Sequence, residues 1–329
     1  MTADDVSRRI RVDVHLQPGG EAEAREALRQ ALEERPRRIP SRFFYDDRGS
    51  ELFEQITQLP EYYPTRTEAK ILRAVADDIA ARSRAGELVE LGSGAATKTR
   101  ILLDAMERTG LLKLYVPMDI SEPPVRQSAR ILAERYPSLE VHGLVGDFLL
   151  HLDRIPDGGV RRLVVFLGGT IGNFPPDEAA EFLRTVHDAM SPGDFFLLGT
   201  DLVKDVARLE AAYDDAAGVT AEFNKNILRV VNRLADGDFD PSRFRHRAFF
   251  DREARWIEMR LVSREAQRVE LSGLDLAFEL DEGEEILTEI SAKYDRERAR
   301  KLLSDAGFEP VEWYTDAEDL FALSLARRG

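Results

Sequence analysis

The chain contains no cysteine. That excludes disulfides, thiolate nucleophiles, iron–sulfur clusters and cysteine zinc sites together. Histidine is scarce: His15, His142, His151, His187 and His246 are the full set, and no two are four residues apart. A helical His-x-x-x-His zinc site therefore has no ligands, and no metal is expected. No apolar run nears the roughly 18 residues that a membrane-spanning helix needs. The opening segment, MTADDVSRRIRVDVHL, is polar and mixed in charge, so no signal peptide is expected. Basic residues are in deficit, 46 against 61 acidic, for a net charge of −15 over 329 residues. Nucleic-acid affinity comes largely from Lys and Arg neutralising phosphates, so a nucleic-acid partner is not expected. Hydrophobic residues make up 43% of the chain, enough for sizeable cores. These absences leave a soluble, cytoplasmic enzyme acting on a small molecule as the expectation, with no membrane partner; a monomer is expected, though nothing in the sequence fixes the oligomeric state.

The length suggests about two domains at roughly 100–200 residues each. Residues 21–35 read as a helix stopped by Pro36, a short helix is expected around Glu51–Thr57, and residues 67–84 carry apolar positions at helical spacing. From Glu87 strands and helices alternate: strands at 87–91, 114–119, 139–147, 162–169 and 194–202, helices at 97–108, 125–136 and 176–190. The runs LVVFL and FFLLG are apolar throughout, as in a parallel sheet covered on both faces. After residue 203 this rhythm stops. Two helices are expected, at 204–216 and about 220–234, then short antiparallel strands, then a helix at 295–306 and two last strands. The reading is an open α/β domain interrupted by an inserted α+β region, with the N-terminal 60 or so residues packing with that insert.

Between the first strand of this alternation and its helix lies Glu90-Leu91-Gly92-Ser93-Gly94. Glycines at such a turn let a ligand approach the backbone closely. Asp119 ends the next strand, where an acidic side chain can hold ribose hydroxyls, and Asp147 follows the third, where it can accept from an adenine amino group. A dinucleotide fingerprint would place glycine at position 97, but Thr97 stands there, and no Gly-Lys-Ser/Thr phosphate loop exists. Glu90, Asp119 and Asp147 would repel a pyrophosphate, whereas they suit a ligand carrying a sulfonium and an ammonium. S-adenosylmethionine is therefore expected, with Lys98 available to its carboxylate. A nicotinamide oxidoreductase is disfavoured on the same grounds.

The chain resembles the histidine Nα-methyltransferases of ergothioneine biosynthesis. The segments that carry this resemblance are FFYDDRGSELFEQITQLPEYYPTRTEA (43–69), ELGSGAATKTR (90–100), FLGGTIGNF (166–174), LLGTDLVKD (197–205), AAYDDAAGVTAEFNKN (211–226) and LTEISAKY (287–294). Gly169 departs from a usual Ser, and Phe174 from a common Leu. The resemblance implies a Rossmann-like class I methyltransferase sheet with an inserted α+β substrate domain. It assigns 67–203 plus 294–329 to cofactor binding and 18–66 plus 204–293 to substrate binding. The implied reaction transfers three methyl groups to the α-amino nitrogen of L-histidine. The implied cofactor residues are Gly92, Lys98, Asp119, Asp147 and Phe148, with Tyr45 near them. The implied amino-acid site comprises Tyr62, Asn173, Tyr213, Met259, Glu289 and Ser291, with Asn173 and Tyr213 as the catalytic pair.

Read from the residues alone, each of these has a plainer use. Asn173 precedes Pro175 and could be a turn residue. Tyr62 and Tyr213 could be packed tyrosines with their hydroxyls at the surface. Glu289 and Ser291, two apart, share a face if the segment is extended, where they could read the two nitrogens of an imidazole or simply meet solvent. A same-fold enzyme acting on another amino acid, such as a tryptophan derivative, is the nearest alternative. A catalytically silent adenosyl-ligand sensor is a second.

Overall fold

A computed structural model describes residues 3–15, 20–94, 96 and 98–329. Thr97, the fingerprint position, lies outside these, as do positions 18 and 19 at the expected start of the substrate region. The strands, in chain order, are β1 (Ile10–Val14), β2 (Glu87–Leu91), β3 (Leu114–Asp119), β4 (Glu140–Val145), β5 (Arg162–Phe166), β6 (Phe195–Asp201), β7 (Phe244–Asp251), β8 (Trp256–Ser263), β9 (Gln267–Leu271), β10 (Leu276–Leu280), β11 (Glu285–Ala292), β12 (Phe308–Thr315) and β13 (Phe321–Arg328). The chain divides into two compact units. One comprises the described residues within Met1–Leu16, Arg66–Leu202 and Tyr294–Gly329, and the other those within Gln17–Thr65 and Val203–Lys293.

The first unit is built on an eight-stranded sheet in the order β1-β4-β3-β2-β5-β6-β13-β12. The pairs from β1 to β6 are parallel, and β13 and β12 close the edge antiparallel. Every residue of β2, β5 and β6 is buried, as strands covered by helices on both faces require. Leu72, Ile79, Leu88, Leu102, Tyr115, Leu132, Leu163, Leu197 and Leu323 belong to its core. Strand order reverses at β2, which has β3 on one side and β5 on the other. In an open α/β sheet, ligands bind at the carboxyl ends of the strands flanking such a switch point. Gly92, Asp147 and Asn173, in the loops that follow β2, β4 and β5, and Asp119, the last residue of β3, lie at that edge.

The N-terminal segment departs from the expectation. Its first described residues do not pack with the insert; Ile10–Val14 joins the large sheet, parallel to β4, with Ile10 opposite Val141. Arg9 explains the anchoring. Its guanidinium donates to the carbonyls of Ala133 (2.6 Å), Tyr136 (2.9 Å) and Leu139 (2.8 Å), which satisfies acceptors at and beyond the end of the Glu122–Arg135 helix. Asp13 adds a 2.8 Å contact to His142 on β4.

In the second unit, β11-β8-β7 form an antiparallel sheet and β9-β10 a hairpin. The Val219–Ala235 helix supplies buried Phe223, Ile227 and Val231 to its core. The expected helix at 204–216 is shorter, Val206–Ala211, started by Asp205 accepting from the Arg208 N–H at 3.1 Å. It stops early because Asp215 turns to the next helix, accepting from the N–H groups of Val219 (3.0 Å) and Thr220 (2.7 Å). Tyr213 therefore lies in the turn between the two helices and not on a helix.

Candidate active site

In the first unit the loop after β2 is shaped by backbone that favours glycine. Gly92 and Gly94 have φ of +74° and +47°, the left-handed region that L side chains rarely adopt. A Cβ built at Gly94 would meet no described residue within 4 Å, so this backbone is open on that side among the described residues. Asp119 holds the loop in that shape: its carboxylate accepts from the Gly94 N–H at 2.8 Å and the Ser121 N–H at 3.0 Å. Burial raises its pKa, and these backbone donors oppose the rise. Asp147 lies two residues past β4 and accepts from the Leu149 N–H at 2.9 Å. The Phe148 ring packs on Phe166 and Phe182, with centroids 5.4 and 5.6 Å away. Asn173 ends the short turn Thr170–Asn173 and is partly exposed. It does not cap the Pro176–Asp188 helix, and its amide makes no hydrogen bond with a described residue.

Two residues of this unit behave differently from the sequence reading. Glu90 does not face the loop. It is buried, and its carboxylate accepts from the Thr99 hydroxyl (2.5 and 2.6 Å) and the Tyr115 hydroxyl (2.5 Å), with burial pushing its pKa up to about 7. It ties β2, β3 and the following helix together. Lys98 is ion-paired with Glu68, which is fully buried. Glu68 in turn accepts from the Gly168 N–H at 2.8 and 3.1 Å, in the segment leading to Asn173.

In the second unit, Glu289 and Ser291 lie on β11, and Met259 of β8 is directly opposite Glu289 in the antiparallel register. The register shifts at Thr288, just before Glu289, and runs regularly from Glu289 to Ala292, with Ile257 opposite Ser291; the Thr288 hydroxyl shares its hydrogen between Asn224 Oδ1 (2.7 Å) and the Met259 carbonyl (2.9 Å). Glu289 and Ser291 thus share one side of the strand. The Glu289 carboxylate retains some solvent access and accepts no hydrogen bond from a described residue. Burial pushes its pKa up to about 7, against the pull of the Lys293 charge. Ser291 accepts from the Tyr213 hydroxyl at 2.7 Å. Tyr62 is buried, its ring 6.4 Å from that of Tyr213. Tyr45 packs edge-on against Phe53 and Phe223 of this unit.

A glycine loop at a sheet's switch point, beside a carboxylate that clamps it, describes a nucleotide-type pocket. A match along the chain decides the family: the model described as "Histidine-specific methyltransferase, SAM-dependent" covers residues 24–328. The chain belongs to this family of S-adenosylmethionine-dependent methyltransferases. It is 50% identical to a histidine N-alpha-methyltransferase of Mycolicibacterium smegmatis over 95% of this chain and 98% of that protein. Identity to one of the same description from Mycobacterium tuberculosis is 47%, over 97% of this chain and all of the relative. The "Ergothioneine biosynthesis protein 1" of Neurospora crassa is 33% identical over 89% of this chain, which spans 34% of that longer protein. The large parallel sheet is accordingly the Rossmann-like sheet of a class I methyltransferase.

Three residues that sequence reasoning passed over hold the named site residues in place. Glu68 fixes both Lys98 and the backbone before Asn173. Lys293 is fully buried and donates to Ser291 Oγ at 2.7 Å and Tyr213 Oη at 3.0 Å, with its ammonium 4.7 Å from the Tyr213 ring centre. The signal was present, since Glu289, Ser291 and Lys293 continue one two-residue period. His246 is also buried; it contacts Asn224 Nδ2 at 2.8 Å and the Tyr213 carbonyl at 2.8 Å, holding the turn that carries Tyr213. Burial lowers its pKa, favouring the neutral ring that accepts from the Asn224 amide and donates to the carbonyl.

Proposed function

We propose that this enzyme transfers three methyl groups in succession from S-adenosylmethionine to the α-amino nitrogen of L-histidine, giving N,N,N-trimethylhistidine (hercynine) as a step of ergothioneine biosynthesis. Family membership and the relatives' names support histidine as the substrate. The single observation that carries the reading of the ring is Glu289: a carboxylate that accepts no hydrogen bond from a described residue, one strand period from a serine hydroxyl and opposite the apolar Met259. Burying a carboxylate is costly unless something pairs with it. An imidazole N–H is such a partner.

The first unit's residues fit the cofactor. Gly92 and Gly94 leave backbone open to a close ligand, and Asp119, Asp147 and Phe148 border the same sheet edge. In this reading Asp119 accepts from ribose hydroxyls while keeping its bond to Gly94. Asp147 accepts from the adenine amino group, Phe148 covers the base, and Lys98, steadied by Glu68, offers its ammonium to the cofactor carboxylate. When bound, the cofactor supplies a methyl group already activated on a sulfonium. No metal is invoked.

Asn173, whose amide makes no hydrogen bond with a described residue, orients the amine. Tyr62 holds the substrate carboxylate through its hydroxyl, Tyr213 belongs to the amino-acid site through its bond to Ser291, and Glu289 and Ser291 read the ring beside Met259. The chain's task is chiefly positioning, because the nitrogen must be unprotonated and in line with the leaving sulfur. Negative charge nearby favours the ammonium form, so the proton is best lost to water before methyl transfer. The enzyme is proposed to act as a cytoplasmic monomer. Mass spectrometry of L-histidine incubated with the enzyme and S-adenosylmethionine tests the reaction: gains of one, two and three methyl groups are expected. Methylation of tryptophan derivatives with histidine left untouched would overturn the substrate assignment.

A further inference from the structure

We infer that Lys293 is a positioning residue that sets the direction of the Ser291 hydroxyl, so that the second contact to the substrate ring is a donated hydrogen bond. This rests on the proposed reading that Ser291 and Glu289 face the imidazole.

The argument is one of donors and acceptors. An ammonium has three donors and no acceptor, and a serine hydroxyl has one donor and two acceptor positions. Lys293 Nζ donates to Ser291 Oγ at 2.7 Å, and the Tyr213 hydroxyl donates to the same oxygen at 2.7 Å. Both acceptor positions of Ser291 are thereby used. Its hydrogen is left over, and no described residue accepts it. Lys293 also donates to Tyr213 Oη at 3.0 Å, so the tyrosine oxygen accepts from the ammonium while its hydroxyl donates to Ser291, which closes the triangle. Without the lysine, the two hydroxyls could reverse, and Ser291 could spend its hydrogen on Tyr213.

The consequence is a polarity along β11. Glu289, ionised, can only accept; Ser291, two residues on, can only donate. A neutral imidazole presents one N–H and one bare nitrogen, the complementary pair. A ring with an N–H alone, such as indole, or with neither group, such as phenyl, leaves at least one of these side chains unmatched. An unmatched polar group in a largely buried site is what makes hydrogen-bonding pockets selective. The cost of burying the ammonium is offset by two oxygens, the Tyr213 ring face and the charge of Glu289.

The test is a double-mutant cycle on the full chain with Lys293→Met, Ser291→Ala and the pair, reading KM and kcat for histidine and the affinity for S-adenosylhomocysteine. Ser291→Ala is expected to raise the histidine KM by about 3- to 10-fold, the range of one neutral hydrogen bond. Lys293→Met is expected to do the same alone but to add less than about twofold once Ser291 is alanine, because the two act through one bond. Homocysteine-ligand affinity should stay constant throughout. An undiminished lysine effect in the alanine background overturns the inference while leaving the substrate reading intact. No effect of Ser291→Ala on the histidine KM overturns the substrate reading itself. Should Lys293→Met fail to fold, Lys293→Gln still offers an amide N–H to Ser291. A folded glutamine variant near the wild-type KM supports the inference, and one as impaired as Ser291→Ala refutes it.

Discussion

Replacing Glu289 with glutamine keeps its size and removes its charge. The carboxylate sits on β11 opposite Met259, accepts no hydrogen bond from a described residue, and has a pKa pushed by burial from 4.5 to about 7. If it accepts from an imidazole N–H, that bond is charge-assisted, and such bonds are roughly twice as strong as neutral ones. The substitution should then cost about 1.4–2.8 kcal/mol, a rise in the histidine KM of about 10- to 100-fold. The penalty should depend on pH. With a pKa of about 7 the group is ionised in about nine-tenths of molecules at pH 8 and about one-tenth at pH 6. Glutamine does not titrate, so the ratio of wild-type to variant kcat/KM should be large at pH 8 and shrink toward pH 6. Ionisation of free histidine is common to both proteins and cancels in that ratio. Stability moves the other way. A carboxyl whose folded pKa is raised stabilises the fold below its unfolded pKa, and loses that contribution as pH rises through the folded value. Relative to wild type, the variant's Tm should therefore improve between pH 5 and pH 8. Initial-rate kinetics with histidine and phenylalanine at both pH values, beside S-adenosylhomocysteine calorimetry, checks these points. A histidine-to-phenylalanine preference unchanged by the substitution, or a pH-independent penalty, would refute the assignment of Glu289 to the ring.

Further outcomes follow from the first unit. Asp119→Ala removes the clamp on Gly94 as well as the proposed ribose acceptor, so S-adenosylhomocysteine should bind about 10- to 100-fold more weakly, the range for one hydrogen bond to a charged group. Unchanged affinity in calorimetry would make Asp119 a loop residue only. Lys98→Met leaves the fully buried Glu68 without its cation, and breaking such a pair costs about 3–5 kcal/mol. Denaturant unfolding should show the loss, and a cost below about 1 kcal/mol would mean the pair behaves like an exposed one. Asn173→Ala should lower kcat for histidine while the cofactor ligand binds normally, since its amide supports no described part of the fold. A parallel fall in Tm would reassign it as structural.

The sequence by itself determined the alternation of strands and helices. That pattern is local: a strand covered on both faces is mostly apolar, as in the run LVVF of Arg162–Phe166, and its helices repeat every three to four residues. The glycine turn after β2 was legible for the same reason, because its backbone geometry is demanded within three residues. Tertiary structure decided what depends on a distant partner. Ile10–Val14 is a half-exposed alternation that becomes a strand only because β4, 131 residues on by register, offers an edge. The reach of the helix before Tyr213 depended on which helix Asp215 would cap. Glu90 looked like a ligand contact until Tyr115 and Thr99 claimed it, and the pairing of Lys98 with Glu68, 30 residues back, was not legible. Lys293 looked like an ordinary charged residue after a strand. A titratable side chain advertises its charge in the sequence but not its partner. The partner is chosen by which residues the fold brings within about 3 Å, where a hydrogen bond forms and can repay the cost of leaving water.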